Sequence, residues 1–402
     1  MLILQKNHSN HSSHLTRKGL KTFKPLNRRA TLLVWGILLT VTLLFVIAGC
    51  SNEEGAPEDP ASVDDTGYVD EDKSPEDEDE EGKGDDEKNK ESDEIETVDI
   101  DLPEEIESLP PNEVGEVMIL MYHEIGEPEA EWVRTPDNFR KDLETLYEEG
   151  YRPVSMNDMI DGKIDIPKGT TPVVLTFDDG TEGQFRYIEE DGELVIDPDC
   201  AVGIMEDFHE EHPDFGLEAT FYIFYDNPFR QQEYVEKKLN YLVDRGFEIG
   251  NHAYSHENLS NLSPAGVEEA LGKFVKRTQD YVPGYEVRSL ALPYGAKPDP
   301  EELAVRGSYE GTEYHHEAVL EVGWYPGPSP FSKDFGTFLP RVRASEMKTD
   351  GTGMYYRIDG YRETPQRRYI SDGNPYTVTV PEDRKEEVTD NLPEHIEEVI
   401  TK

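Results

Sequence analysis

The stretch Val173-Val-Leu-Thr-Phe-Asp-Asp-Gly180 decides the fold, because a continuous apolar run is followed at once by two carboxylates and a glycine. Unbroken apolar runs of this length are typical of strands buried on both faces, as in a parallel sheet. Further runs of the same kind predict strands at 117–122, 219–224, 247–250, 287–292 and 318–322. The chain is therefore expected to contain a largely parallel sheet.

Helical patterns lie between these predicted strands. Apolar residues three and four positions apart predict a helix over Thr135–Glu149, and further helices are predicted over 231–244 and from Ser263 to about Tyr281. Strands that alternate with helices indicate an α/β fold with both faces of the sheet covered. Roughly seven such units favour a barrel over an open sheet, a choice that periodicity alone leaves open.

Acidic residues are in excess along most of the chain. The 402 residues include 87 Asp and Glu against 39 Lys and Arg, and residues 111–402 alone hold 60 acidic against 28 basic side chains. Because phosphate backbones attract Lys and Arg, this charge balance argues against nucleic acid as a partner. It also argues against simple electrostatic adhesion to anionic lipid.

The first 50 residues predict export of everything that follows. An apolar run at 31–49 follows a basic stretch and ends in Ile47-Ala48-Gly49-Cys50, which resembles the lipobox of bacterial lipoproteins. Cys50 is therefore expected to carry a lipid, and an uncleaved transmembrane anchor is the alternative. Either way, the basic residues before the run keep the N-terminus cytoplasmic, so the protein is expected on the outer face of a bacterial cell membrane.

Composition divides the chain into three predicted segments. Residues 1–50 form the signal and lipoprotein segment, and residues 51–112 form an acidic linker with too few apolar side chains to fold. Residues 113–402 form the folded domain. No pattern in the sequence indicates an oligomeric state.

Two groups of residues that follow apolar strands are candidates for chemistry. Asp178 and Asp179 end the run quoted above, where the carboxyl ends of parallel strands gather functional groups. His252 and His256 form the sole pair of histidines four apart among the 11 in the chain, and on one face of a helical turn they could reach one cation. Two histidines and a carboxylate are a recurrent zinc-binding set. The alternatives are an Asp-capped turn and a loop with one hydrogen-bonded core histidine.

The order of these motifs resembles that of the polysaccharide deacetylase family, whose domain is also called the NodB homology domain. Residues 176–180 (TFDDG) are similar to its first motif, 250–256 (GNHAYSH) to its second and 292–295 (LPYG) to its third, within a matching core of about 117–300. The resemblance implies a distorted (β/α) barrel. It also implies a divalent metal, usually zinc, held by Asp179, His252 and His256, with Asp178 as catalytic base and the backbone around Tyr294 helping to hold the oxyanion.

The activity implied by the resemblance is hydrolysis of a linear amide, which removes N-acetyl groups from a glycan such as peptidoglycan or a chitin-like polymer. Two features depart from the family pattern. Leu290-Ala291-Leu292 stands where an Arg normally precedes the third motif, and the nearest Arg is Arg288. The closing histidine that acts as general acid also has no clear copy, with His315 and His316 as the nearest candidates, so the general acid stays unassigned.

These departures motivate an alternative function, a weak or inactive deacetylase-like module that binds glycan and stabilises the cell wall. Three smaller expectations concern the surroundings of the site. The 38 residues between Gly180 and Ala219 are expected to form an extra loop that walls the cleft. Aromatic residues 324, 325 and 331 are expected either to stack on sugar or to pack in the core. His123, which follows the first predicted strand, is expected to be a core residue, and a position lining the site is the alternative.

Overall fold

The computed structural model describes residues 108–349 and 351–402, together with Leu102 and Ile106. In chain order its strands are β1 Glu116–Tyr122, β2 Glu124–Ile125, β3 Val133–Arg134, β4 Tyr151–Pro153, β5 Thr171–Asp178, β6 Tyr187–Glu190, β7 Glu193–Ile196, β8 Thr220–Ile223, β9 Glu248–Asn251, β10 Ser289–Ala291, β11 Arg306–Tyr309, β12 Thr312–His315, β13 Ala318–Leu320, β14 Gly327–Pro328, β15 Phe338–Leu339, β16 Val342–Arg343, β17 Thr377–Val380 and β18 Glu398–Thr401. Its α-helices are α1 Pro136–Glu148, α2 Met156–Asp161, α3 Ala201–Glu211, α4 Val235–Asp244, α5 Pro264–Tyr281, α6 Glu302–Val305 and α7 Met354–Glu363.

The sheet curves into a barrel of parallel strands. Its order is β1, β5, β8, β9, β10 and β13, and every neighbouring pair in that series is parallel. The segment 338–343 then closes the ring, because β15 pairs with β13 and β16 pairs with β1, both in parallel. The expected (β/α) barrel is confirmed.

Alternation along the strands fills the inside of the barrel. On β5, Val174 packs in the interior cluster, whereas Val173, Leu175 and Phe177 pack in the cluster that the helices cover. Because successive side chains on a strand point to opposite faces, Thr176 and Asp178 point inward with Val174. Asp178 therefore lies inside the barrel at the carboxyl end of β5, where the interior opens to the site.

Capping side chains determine where two of the predicted helices, α1 and α5, begin. Thr135 accepts a hydrogen bond from the amide of Asn138, and Pro136 occupies the first helical position of α1. Ser263 accepts from the amide of Gly266 in the same way before α5. A serine or threonine before the helix accepts a hydrogen bond from an otherwise unpaired amide of the first turn, and a proline at the first position has no amide hydrogen to be left unpaired. Both predicted helices are confirmed to within one or two residues.

Other elements differ from the sequence-based expectation. Residues 232–234 form a 3-10 turn, so helix α4 begins only at Val235. The strand predicted over 318–322 ends at Leu320, and that over 287–292 is confined to 289–291. Helix α3, Ala201–Glu211, lies in a stretch where the sequence patterns predicted no helix, and its buried apolar face packs in the core.

No helix among the described residues is long and apolar enough to cross a membrane. The apolar run at 31–49, the lipobox cysteine Cys50 and nearly all of the acidic linker lie outside those residues. The expectations about the signal segment, lipidation and linker therefore stay predictions.

Candidate metal centre and catalytic site

The turn after β5 sends the two adjacent aspartates in different directions. Asp178 is the last residue of the strand, and Asp179 and Gly180 follow with φ of 78° and 53°. A Cβ atom on Gly180 would lie 3.0 Å from the side chain of Ile223, so a residue without a side chain suits both the angle and the space. Asp178 thus stays inside the barrel, and Asp179 reaches the rim.

The two histidines of the second motif lie in an irregular loop, not on a helix. Strand β9 ends at Asn251, whose side chain accepts a hydrogen bond from the amide of Ala253 at 2.9 Å. Ala253 and His256 then take positive φ of 57° and 56°. The expectation that a helical turn aligns His252 and His256 is wrong, since this left-handed loop brings their rings together, with centroids 4.8 Å apart.

Asp179, His252 and His256 converge on one point. Oδ1 of Asp179 lies 3.4 Å from Nε2 of His252 and 3.3 Å from Nε2 of His256, and the three ligand atoms lie within 4.8 Å of one another. Tetrahedral zinc with bonds of about 2.1 Å separates its ligands by about 3.4 Å. Both the donor types and the spacing therefore fit a divalent cation such as zinc, and three protein ligands leave a coordination position open.

Hydrogen bonds on the far side of each ring hold the histidines in place. Nδ1 of His252 lies 2.7 Å from the carbonyl oxygen of Ala291, and Nδ1 of His256 lies 3.0 Å from the hydroxyl of Tyr294. Partners of this kind fix the ring orientation and leave Nε2 free for a metal. Tyr294, expected from the sequence to act through its backbone, thus also contacts a candidate ligand through its side chain.

Four of the nine non-glycine residues with positive φ in the described part of the chain belong to this cluster. Asp179, Ala253, His256 and Tyr294 all have left-handed φ, between 56° and 78°. A non-glycine residue in this region costs on the order of 1–3 kcal/mol. Such strain persists where the surrounding structure fixes the chain, and here it accompanies convergence of the candidate ligands.

Asp178 is clamped by an arginine that the sequence did not indicate. Nη1 and Nη2 of Arg341 lie 2.7 Å from Oδ1 and Oδ2 of Asp178, and both side chains are almost fully buried. Arg341 also donates to the hydroxyl of Thr176 at 3.1 Å and, through Nε, to the carbonyl of Glu321 at 3.0 Å. Burial alone would raise the pKa of Asp178, but the Arg341 guanidinium holds that pKa well below its usual range.

Arg288, the nearest arginine to the third motif, does not reach the site. Its guanidinium binds Asp161 at 2.6 Å and Glu317 at 2.7 Å. The arginine beside the base comes instead from segment 338–343. Along that segment Leu339 packs inside the barrel, and Arg341, two residues later, projects to the same side. The local sequence Leu-Pro-Arg-Val-Arg carries no signal that distinguishes this arginine.

His123 lies at the site, and the expectation of a core residue is wrong. Its Nε2 is 4.0 Å from Oδ2 of Asp178, and about a fifth of its side chain is exposed. Its ring also contacts Trp132, with centroids 4.7 Å apart. Burial lowers the pKa of His123, against the opposing effect of Asp178 and Asp179, so the imidazole is neutral at neutral pH.

The two histidines considered as replacements for the closing motif lie elsewhere. His316 is fully buried, its Nδ1 bonded to the carbonyl of Ala304 at 2.7 Å and its Nε2 lying 3.1 Å from the side-chain nitrogen of Asn251. Both ring nitrogens are therefore occupied within the fold. His315 is exposed on the β11–β12 hairpin. The structure favours neither as proton donor.

The aromatic residues considered as a sugar-stacking surface differ in exposure. Phe331 is buried in the barrel interior, whereas Trp324 and Tyr325 are half exposed. Tyr294 is the most exposed large apolar side chain described, at 67%. The residues between Gly180 and Ala219 form the β6–β7 hairpin and helix α3, instead of a single irregular loop.

Part of the chain matches a known protein family. Residues 165–306 match the family model of polysaccharide deacetylase, a segment that contains every sequence-predicted site residue of the domain but ends before Arg341. Among solved structures, the chain is similar to Streptococcus pyogenes deacetylase PplD in complex with acetate, at 17% identity, covering 59% of this chain and 96% of that one with a TM-score of 0.46. It is also similar to a Bacillus cereus polysaccharide deacetylase, at 19% identity, covering 62% and 69% with a TM-score of 0.45. The matched segment, with the motifs at 176–180, 250–256 and 292–295, identifies residues 165–306 as similar to the polysaccharide deacetylase family.

Proposed function

We propose that this polysaccharide deacetylase is metal-dependent and removes N-acetyl groups from a glycan of the bacterial cell envelope, such as peptidoglycan or a chitin-like polymer. One observation carries the proposal. A buried carboxylate, Asp178, is held in a fixed orientation by Arg341 directly beside three side chains that can bind a cation, Asp179, His252 and His256. This combination supports a mechanism in which a base and a metal-bound water act together.

In the proposed mechanism, a divalent cation held by Asp179, His252 and His256 supplies Lewis-acid activation of water and of the acetyl carbonyl. Asp178 takes the proton from the attacking water, since its carboxylate is ionised and cannot rotate away from Arg341. The C–N bond then breaks, the acyl group leaves as acetic acid, which ionises to acetate in solution, and the sugar nitrogen needs one proton.

His123 is the group we assign to that proton. Its Nε2 lies 4.0 Å from the carboxylate that collected the proton from water, and its side chain is accessible from the site. A neutral imidazole can accept this proton and pass it to the amine, so the protons balance within the site. Gln184 donates to the carbonyl oxygens of both His123 and Asp178 and so fixes their backbones relative to each other.

One of the two sequence features that suggested the glycan-binding alternative is explained by the structure. It rested partly on the missing third-motif arginine, and Arg341 provides a bidentate partner for the base from the connection between β15 and β16. The closing histidine has no counterpart in the same place, but His123 stands beside Asp178. The geometry therefore favours an active enzyme.

Location at the outer face of the membrane is also a proposal, and it rests on the run at 31–49 and the lipobox at Cys50. Metabolic labelling with radioactive palmitate tests it. We expect label in the wild-type protein and none in Cys50→Ser. Equal label in both, or none in either, would contradict lipidation.

Acetate release from N-acetylglucosamine oligomers tests the activity. We expect release by wild type, loss on chelation and recovery on adding zinc. Asp178→Asn should lower kcat by about 10²–10⁴-fold, the usual contribution of a general base, and His123→Gln should lower kcat with little change in KM. Asp199→Asn, which changes an acid paired with Arg140 at the surface, is the matched control. Release that survives Asp178→Asn, or no release from any glycan, would refute the proposed function.

A further inference from the structure

One exposed tryptophan borders the site from the side of β1. Trp132 is 42% exposed, and its ring lies against His123 at an interplanar angle of 50°. His123 in turn lies 4.0 Å from the proposed base, Asp178. The indole is therefore separated from the reacting groups by a single imidazole, close enough to contact a sugar next to the one that reacts.

Trp132 is held rigidly although its surface is open. The guanidinium of Arg343 lies 4.5 Å from the centroid of the Trp132 ring, and the Arg343 side chain is almost fully buried. The adjacent Arg134 makes a buried bidentate pair with Asp142, at 2.6 and 2.8 Å, and also binds Glu129 at 2.8 Å. These contacts fix the loop on both sides of the indole. A fixed, partly exposed aromatic side chain loses little entropy when it binds a partner.

A second exposed aromatic lies on another part of the rim. Tyr294 follows β10 and bonds to His256, whereas Trp132 stands above β1. In the sheet order, β5 and β9, which lead into the candidate metal ligands, lie between these two strands. The reacting groups are thus flanked by aromatic surface on two sides, an arrangement that suits a chain of sugars passing across the mouth of the barrel.

We propose that Trp132 is a stacking platform for the pyranose ring next to the N-acetylated sugar that reacts. The occupant is a neutral sugar of the same glycan, because pyranose rings present apolar C–H faces to an indole, and the acidic domain does not favour an anionic polymer. This inference rests on the proposed function and specifies its substrate. The enzyme acts on oligomers better than on a single sugar, and Trp132 provides the difference.

Chain-length dependence of acetate release tests the platform. For wild type we expect kcat/KM to be at least about tenfold higher for the N-acetylglucosamine hexamer than for the monomer. Trp132→Ala should remove most of that gain, so that the ratio of hexamer to monomer kcat/KM falls towards one, and Trp132→Phe, which keeps an aromatic ring at this position, should restore part of it. Tyr376→Ala, which truncates an aromatic side chain of similar exposure in the C-terminal segment, should behave as wild type.

Tryptophan fluorescence gives a second readout that does not require turnover. In the Asp178→Asn background, the hexamer should change the emission, and adding Trp132→Phe should abolish most of that change, since only three tryptophans are present in the chain. If wild type releases acetate equally well from monomer and hexamer, and Trp132→Ala matches it, the platform is refuted while the proposed function stands. If wild type releases no acetate from any oligomer but the fluorescence change depends on Trp132, the proposed function fails and the platform stands.

Discussion

Replacing Arg341 by methionine would leave the Asp178 carboxylate buried without its partner. Asp178 and Arg341 are 3% and 0% exposed, and their two contacts are both 2.7 Å. Removing one member of a buried ion pair costs about 3–5 kcal/mol, because the remaining charge loses its partner but stays out of water. Because domains of this kind are stable by about 5–15 kcal/mol, the loss is a substantial fraction of the total, and we expect the variant to fold under mild conditions.

The assay is urea unfolding followed by circular dichroism, with acetate release measured on the same samples. We expect Arg341→Met to lower the free energy of unfolding by about 3–5 kcal/mol and kcat by about 10²-fold or more, since the base is no longer held in position. Arg288→Met is the matched control. Its guanidinium also contacts two carboxylates, but it is 21% exposed, so the expected cost is about 1 kcal/mol.

A double-mutant cycle isolates the pair from other effects. Asp178→Asn combined with Arg341→Met removes both charges, so the double variant should be more stable than the sum of the two single changes implies, by about 2 kcal/mol or more. Additive effects, or an Arg341→Met variant as stable and active as Arg288→Met, would show that the clamp does not matter and would refute the reasoning.

Three further outcomes follow from the geometry. Zinc at 100 times its Kd should stabilise wild type by about 2.7 kcal/mol, and His252→Gln should abolish the associated rise in Tm; a rise of equal size in both would contradict the assigned ligands. Gly183→Ala should destabilise by about 1–3 kcal/mol in urea unfolding, because its Cβ would lie 1.7 Å from the carbonyl oxygen of Ile125, whereas Gly336→Ala meets no atom within 4 Å and should be neutral. Burial lowers the pKa of His316 to about 4, so protonation of this side chain favours the unfolded chain. The free energy of unfolding should therefore fall by up to about 3 kcal/mol as the pH drops from about 6.5 to about 4. His316→Gln should make the free energy of unfolding less dependent on pH over this range.

The parts of the site that the sequence predicted are those encoded locally. Asp178 and Asp179 directly follow an apolar strand, so their place at the end of a buried strand could be inferred from a stretch of eight residues. The spacing of His252 and His256 likewise identified the pair, although the helical turn assumed for it is in fact a left-handed loop. Motif order then identified the family.

The missing parts depend on contacts between distant segments. Arg341 is 163 positions from Asp178 in the sequence, and it lies with Pro340 in the short connection between strands β15 and β16. No local pattern marks this arginine, because its role arises only when the barrel closes. His123 directly follows strand β1, and its position beside Asp178 results from the pairing of β1 with β5, which its own surrounding sequence does not indicate.

Closure of the barrel by segment 338–343 has a consequence for biosynthesis. A nascent chain that has emerged only as far as β13 already contains all three candidate ligands and the proposed base, but not the residue that clamps the base. The last barrel strand therefore completes the ring and the catalytic pair in the same step. The enzyme should therefore become active only when the barrel is complete, and the appearance of hydrolytic activity would mark the end of folding.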